Sequence, residues 1–192
     1  MIQEVPPTLK NFSLFERALK IAGPQVNLGT LSSISRRDFN ERESFIFRAP
    51  APSLEYASLM IENSLLLKTN RSTRIYAGFE KLSFLQPVVE RYLRIADISE
   101  CVYVFGEGDW QPPRHPNLRC VPLSPDFRLV REWFLIADSP AAPVALVALD
   151  EDGFEGQKFD KRVFSAFKSS EPRVVRELAG AVEGLINWSL AA

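Results

Sequence analysis

Residues 44–79 read SFIFRAPAPSLEYASLMIENSLLLKTNRSTRIYAGF, and the reading of this stretch decides the fold. Ser44-Phe45-Ile46-Phe47 is a short strand of aromatic and β-branched side chains, stopped by Pro50 and Pro52. Ser53 is placed to cap a helix running to about Lys68, with Leu54, Ala57, Ile61 and Leu65 on one face. Arg74 to Phe79 then returns to strand composition. Strand, helix and strand in succession are the building unit of α/β sheets.

Downstream, Ser83-Phe84-Leu85-Gln86 fits the S-x-x-Q capping box, Pro87 is tolerable in a first turn, and a helix is expected to about Ala96. Cys101 to Phe105 is apolar throughout, as in a strand buried on both faces. After the turn-rich segment Gly106 to Pro116 come four strand-like runs: Leu118–Pro122, Arg131–Ala137, Val144–Asp150 and Arg162–Phe167. The second and third read as a hairpin around Ser139-Pro140-Ala141-Ala142-Pro143. Ser169 or Ser170 caps a final helix with Pro172 near its start. Its buried stripe is expected at Val174, Leu178, Ala181 and Leu185, with Gly180 and Gly184 leaving a flat strip against a sheet.

Upstream, Pro6-Pro7 makes residues 1–10 an extended arm. A short amphipathic helix follows from Ser13 to Ile21, ended by Gly23-Pro24, and Asn27 to Glu43 reads as polar and irregular. The expected fold is α/β in the mixed α+β sense: a central mixed sheet of about six to seven strands, helices packed on it, and a long C-terminal helix. Residues 1–25 form the arm and first helix, and 26–192 the domain.

Composition narrows the function. The chain has 192 residues, 46% hydrophobic and 24% charged, which matches one globular domain of ordinary composition. Lys+Arg 23 against Asp+Glu 24 leaves a net charge of -1, without the basic excess of a nucleic-acid binder. The start, Met1-Ile2-Gln3-Glu4-Val5-Pro6-Pro7, has neither a basic n-region nor an apolar h-region, and no apolar run reaches the ~20 residues of a membrane span. A cytoplasmic protein is expected, with Cys101 and Cys120 reduced and packed in apolar runs.

Catalytic equipment is sparse. The one histidine, His115, sits between prolines, where a solvated surface group is the ordinary reading. One His and two separated Cys cannot assemble a Cys/His zinc site within the chain. No G-x-S-x-G, Walker or dinucleotide fingerprint occurs, and Gly106-Glu107-Gly108-Asp109 carries two acids that would repel phosphate. In Asp150-Glu151-Asp152-Gly153 the glycine comes too early for an EF-hand, so a solvated connection is expected. Arg36-Arg37 and Arg71-Ser72-Thr73-Arg74 are either a phosphate cradle or ordinary surface basic pairs. Neither cysteine has the setting of a covalent chromophore thiol, while a non-covalent chromophore stays open. No catalytic residue, metal site or cofactor is assigned.

Four segments, in order, resemble the DICT sensory domain family. Ser33-Ile34-Ser35-Arg36-Arg37 is similar to its S-I-S-K-R entry. Arg74-Ile75-Tyr76-Ala77-Gly78-Phe79-Glu80 resembles its strand ending in Phe-Gln. Arg131-Glu132-Trp133-Phe134-Leu135-Ile136-Ala137-Asp138 resembles its R-E-W strand. Phe159-Asp160 with Phe164, then Ser170 to Arg176, resembles its F-E strand and closing D-P-x-V-V-R helix. Arg36 stands for Lys, Glu80 for Gln and Asp160 for Glu. The resemblance implies a non-enzymatic signal-input or adaptor module, with a link to bacterial light or second-messenger responses, particularly in cyanobacteria. With no cyclase, kinase or helix-turn-helix segment in view, it implies a protein partner in trans.

The expected site gathers Tyr76, Phe79, Trp133 and Phe159 with Arg74, Arg131 and Glu132, at a sheet edge or crevice. Two readings of Trp133 stand: a core side chain beside a satisfied Glu132, or the wall of a ligand or partner site. The alternative function is a small enzyme working through Glu80, Glu132 or Asp138 in a cleft. The first helix, apolar on one face, is expected to pack on its own domain or in a homodimer.

Overall fold

The structure, a computed structural model, describes residues 7–151 and 158–191. Eight strands lie among these residues: β1 (Asn27–Thr30), β2 (Ser44–Pro50), β3 (Arg74–Lys81), β4 (Cys101–Glu107), β5 (Leu118–Leu123), β6 (Glu132–Asp138), β7 (Val144–Asp150) and β8 (Val163–Ser169). The helices are α1 (Pro7–Lys10), α2 (Leu14–Ala22), α3 (Arg36–Glu41), α4 (Ala51–Lys68), α5 (Val89–Ile98) and α6 (Pro172–Ala191). All eight strands join one mixed sheet in the order β1-β2-β8-β7-β6-β3-β4-β5. β3, β4 and β5 run parallel, while β3 pairs antiparallel with β6. β3 is therefore a seam, with parallel pairing to β4 on one edge and antiparallel pairing to β6 on the other.

Strand alternation builds two separate cores. On β3, Ile75, Ala77 and Phe79 face one side, and on β6 Trp133, Leu135 and Ala137 face the same side, where α4 and α5 pack. Tyr76, Phe134 and Ile136 face the other, covered by α2 and α6. Helix α6 is held there by Glu183, which accepts from the Tyr76 hydroxyl at 2.5 Å and from Arg74 at 2.7 Å. Burial, aided by the Glu183 carboxylate, lifts the Tyr76 phenol far above its ordinary range. Helix α2 buries Leu14, Phe15 and Ala18 against its own chain, the first of the two packings expected of it.

The fold class holds, and several local expectations are corrected. The strand beyond the expected six to seven is β1, paired parallel to β2 within the segment read as irregular. In the same segment Ser35 caps α3 by accepting from the Asp38 amide at 3.0 Å. Residues 7–10 are not extended: Pro7 opens one helical turn, a position where its missing N–H costs nothing. Helix α4 starts at Ala51 rather than after Ser53, because prolines are tolerated in a first turn and the Ala51 amide donates to the Arg162 carbonyl at 3.0 Å. Ser83 caps no α-helix. Pro87 withholds an amide, so 82–88 forms a 3-10 helix before α5, and Ser83 instead bonds both carboxylate oxygens of Asp109, at 2.9 and 2.6 Å. On α6 the buried stripe runs through Val174, Val175, Leu178, Ala179, Val182, Leu185 and Ile186, leaving Ala181 half-buried and Gly180 and Gly184 exposed, so those glycines form no strip against the sheet.

The sheet centre depends on one missing side chain. Gly78 lies opposite Phe105 on β4 and Phe134 on β6, and a Cβ there would sit 2.1 Å from the Phe134 ring. Gly78→Ala is expected to destabilise the protein by about 1–3 kcal/mol or more, because the phenyl ring cannot withdraw into a packed core. Adding Phe134→Leu should recover part of that loss. Urea denaturation reads both, and a single-mutant loss under about 0.5 kcal/mol would contradict the crowding.

Candidate functional site

At the carboxyl end of β3 the ladder slips. Gly78 pairs with Phe105 and Lys81 with Glu107, so Phe79 and Glu80 together oppose Gly106 alone. This is a β-bulge, and it turns two consecutive side chains to one face where a regular strand would part them. Gly106 permits it: a Cβ there would meet the Phe79 carbonyl at 2.9 Å and the Leu82 amide at 3.0 Å. Phe79 and Glu80 both line a cavity of about 700 Å³ beside the seam. Its other walls are one face of α4 (Pro52, Glu55, Tyr56, Ser58, Leu59, Glu62), the 3-10 helix with Ser83 and Phe84, the start of β6, and Phe159, Arg162 and Phe164. Ring packs on ring here: Trp133 lies nearly parallel to Phe159 with centroids 6.1 Å apart, and edge-on to Phe164. Phe84 meets Phe159 edge-on, and Phe79 meets Tyr92. Tyr56 and Phe84 are exposed.

The charges inside are matched. Glu62 is buried on α4; its two oxygens accept from Arg91 at 2.7 Å and from the Tyr92 hydroxyl at 3.0 Å. Burial raises its pKa, and the two donors oppose that rise. Glu80 accepts from Arg162 at 2.7 Å, and that guanidinium lies over the Phe159 ring. Of the other charged wall residues, Glu55 and Arg131 are exposed, and Glu132 turns its buried carboxylate to Ser13. The outcome is an aromatic cleft at the carboxyl end of a strand, at the point where sheet direction changes, the customary place for a binding crevice in α/β sheets.

The model of a family described as DICT, the sensory domain in diguanylate cyclases and two-component systems, matches residues 42–151. The chain belongs to the DICT family. The match covers the DICT segments around Arg74–Glu80 and Arg131–Asp138, while those at 33–37 and 159–176 lie outside the matched residues. It includes the bulge, α4, α5 and the start of β6, hence most of the cavity wall. No curated protein matches the chain.

Of the residues expected to form one site, this DICT domain brings Phe79, Arg131, Trp133 and Phe159 to the cavity, and Glu132 also lines it while its carboxylate leaves for α2. Trp133 is half-buried, neither a sealed core side chain nor a surface one. The sheet divides the rest from them. Arg74 and Tyr76 point to the α6 face, bound to Glu183, and Glu132 sends its carboxylate to α2. Alternation decides this, since Glu132 and Trp133 are neighbours on one strand. The three acids proposed for an enzyme do not converge either. Glu80 is in the cavity, the Glu132 carboxylate is on the opposite face, and Asp138 lies at the far end of β6 across from Arg74. Sequence reasoning missed Ser58, Glu62, Arg91 and Arg162. The available signal was Glu62 itself, a charge directly beside Ile61 in the buried stripe of a helix.

Elsewhere, His115 is not a freely solvated group: its ring bonds Asp97 at 3.0 Å and accepts from the Asn117 amide at 3.1 Å. Cys101 is buried and Cys120 half-buried, both as free thiols, and burial raises the Cys120 pKa. Residues 152–157 of the acidic run lie outside the described residues; Glu151 pairs with Arg48. Arg36 stacks on Tyr56 and bonds its hydroxyl, and Arg37 pairs with Glu41. Among the described residues no cluster of three His, Cys, Asp or Glu could hold a metal, and no helix is long and apolar enough to cross a membrane.

Among the described residues, Glu132 is a carboxyl strongly perturbed by burial. It is buried, accepts from the Ser13 hydroxyl at 2.5 Å and from the Phe15 amide at 2.9 Å, and Ser13 in turn caps α2 through the Glu16 amide. Burial pushes its pKa up to about 7, against the pull of these donors. A carboxyl whose pKa rises on folding favours the folded state below its unfolded pKa and loses that contribution as pH rises through the folded value. Relative to Glu132→Gln, the wild type should therefore lose up to about 3 kcal/mol of stability between about pH 4.5 and 7. Urea titrations of both proteins across that range test it; a difference independent of pH would contradict the assignment.

Proposed function

We propose that the chain is a non-enzymatic signal-input module: a small ligand enters the aromatic cavity, and its occupancy is passed through β6 to α2 and on to a protein partner in trans. Membership of a sensory family supports the module, and the cavity supports the ligand. The observation that carries the reading is the half-buried Trp133, stacked on Phe159 at a cleft whose inner charges already neutralise one another. Such a cleft offers contact area and shape without an obvious nucleophile or acid–base pair. Glu62 and Glu80 share the cavity, as a two-carboxylate enzyme would require, but arginines hold both. Adjacent residues give the route out, since Trp133 lines the cavity and Glu132 grips the start of α2 on the opposite face. The response, to light or to a second messenger, and a cytoplasmic setting belong to the same proposal.

Trp133→Ala is the direct test. A half-buried cavity-wall tryptophan should cost about 1–3 kcal/mol in a circular-dichroism melt, less than the ~3–5 kcal/mol of a sealed one. The same change should abolish any small molecule retained by protein purified from its own cells, read by native mass and absorption spectrum. A variant that retains the molecule as tightly as wild type would overturn the site, and a visible absorption band would identify a chromophore.

A further inference from the structure

The walls restrict what the cavity can hold, and this inference rests on the ligand-binding reading above. The surfaces on offer are planar: Phe79, Phe84, Trp133 and Phe159, with the Trp133 and Phe159 planes only 23° apart. Aromatic faces reward another flat ring through offset stacking and edge contacts, and a flexible chain gains less from them while losing more rotational freedom. Charge is not in demand inside, because Glu62 is held by Arg91 and Glu80 by Arg162. Among the described wall residues, a buried hydroxyl is left over. Ser58, on the cavity-facing side of α4 and one turn before Glu62, is buried, and its hydroxyl has no hydrogen-bond partner. A buried hydroxyl without a partner is costly, and an occupant that bonds it recovers that cost on binding.

We propose that the cavity takes a flat, ring-bearing molecule, uncharged in its buried part, with a hydroxyl, carbonyl or ring N–H group that pairs with the Ser58 hydroxyl. Ser58 is then a specificity residue, selecting by one hydrogen bond among molecules that the aromatic walls hold by shape.

Calorimetric titration with three probes tests this: 2-naphthol, naphthalene, and 1-decanol as a flexible alcohol. Wild type should bind 2-naphthol about fivefold more tightly than naphthalene, the worth of one hydrogen bond. Ser58→Ala should erase that preference while leaving naphthalene affinity unchanged. The variant should fold at least as stably as wild type, since alanine favours a helix and removes an unpaired hydroxyl. 1-Decanol should bind about tenfold more weakly than 2-naphthol. Decanol binding as tightly as 2-naphthol, or a Ser58→Ala variant that keeps the preference, would overturn the ligand class while leaving the cavity as the site. Failure of all three probes to bind, in a protein with a normal melt, would overturn the cavity reading as well.

Discussion

Between Gly78 and Lys81, β3 carries one residue more than β4 can pair, and the cavity follows from that mismatch. In a regular strand Phe79 and Glu80 would face opposite cores, the aromatic ring toward α5 and the carboxylate into the apolar layer on the other side of the sheet. An unpaired carboxylate there would be costly to bury. The bulge turns both to one side, where Arg162 neutralises Glu80 and Phe79 joins the wall. Two glycines make this possible. Gly78 yields its side-chain space to Phe134, and Gly106 lets the bulged backbone pass close above it.

The same geometry gives the sheet two unlike faces at one place. On β6, the Trp133 side chain reaches the cavity and the Glu132 carboxylate reaches α2, a separation of one residue through the thickness of the sheet. The carboxyl of Glu132 is held close to neutrality by burial, yet it organises Ser13 and the first amides of α2. A strand whose adjacent residues touch a cleft and a terminal helix is a short mechanical path, provided the strand can shift or twist. Pairing on both edges of β6, with β3 and β7, means that any such shift is shared by the seam of the sheet.

Much of the fold was legible because its signals are local. The apolar run Cys101–Phe105, the alternation at Arg74–Phe79 and the hairpin at Ser139–Pro143 each announce their element within a few residues. The errors fall where tertiary contacts override a local cue. Ser83 looks like a cap, but Asp109 takes its hydroxyl and its amide and Pro87 blocks the α-ladder; Asn27–Thr30 is too polar to read as a strand and becomes one because β2 offers an open edge. The site was half legible. Phe79, Arg131, Trp133 and Phe159 were readable as aromatic and basic residues near strand ends. Tyr76, Arg74 and Glu132 were grouped with them because strand alternation was not carried through to the whole set. Ser58 and Glu62 come from a helix whose apolar stripe concealed them.

Hydrogen–deuterium exchange on the wild-type protein, with and without saturating 2-naphthol, tests most directly the claim that the cavity binds and β6 transmits. Protection should rise at Phe79–Phe84, at Glu132–Trp133 and along the first two turns of α4. Across the sheet, the exchange of the Phe15 and Glu16 amides should change as well. Changes confined to the smaller cleft at the other end of β3, around Arg74, Asp138 and Arg176, would place binding elsewhere and contradict the cavity. Protection at the cavity with α2 unaltered would contradict the path through β6.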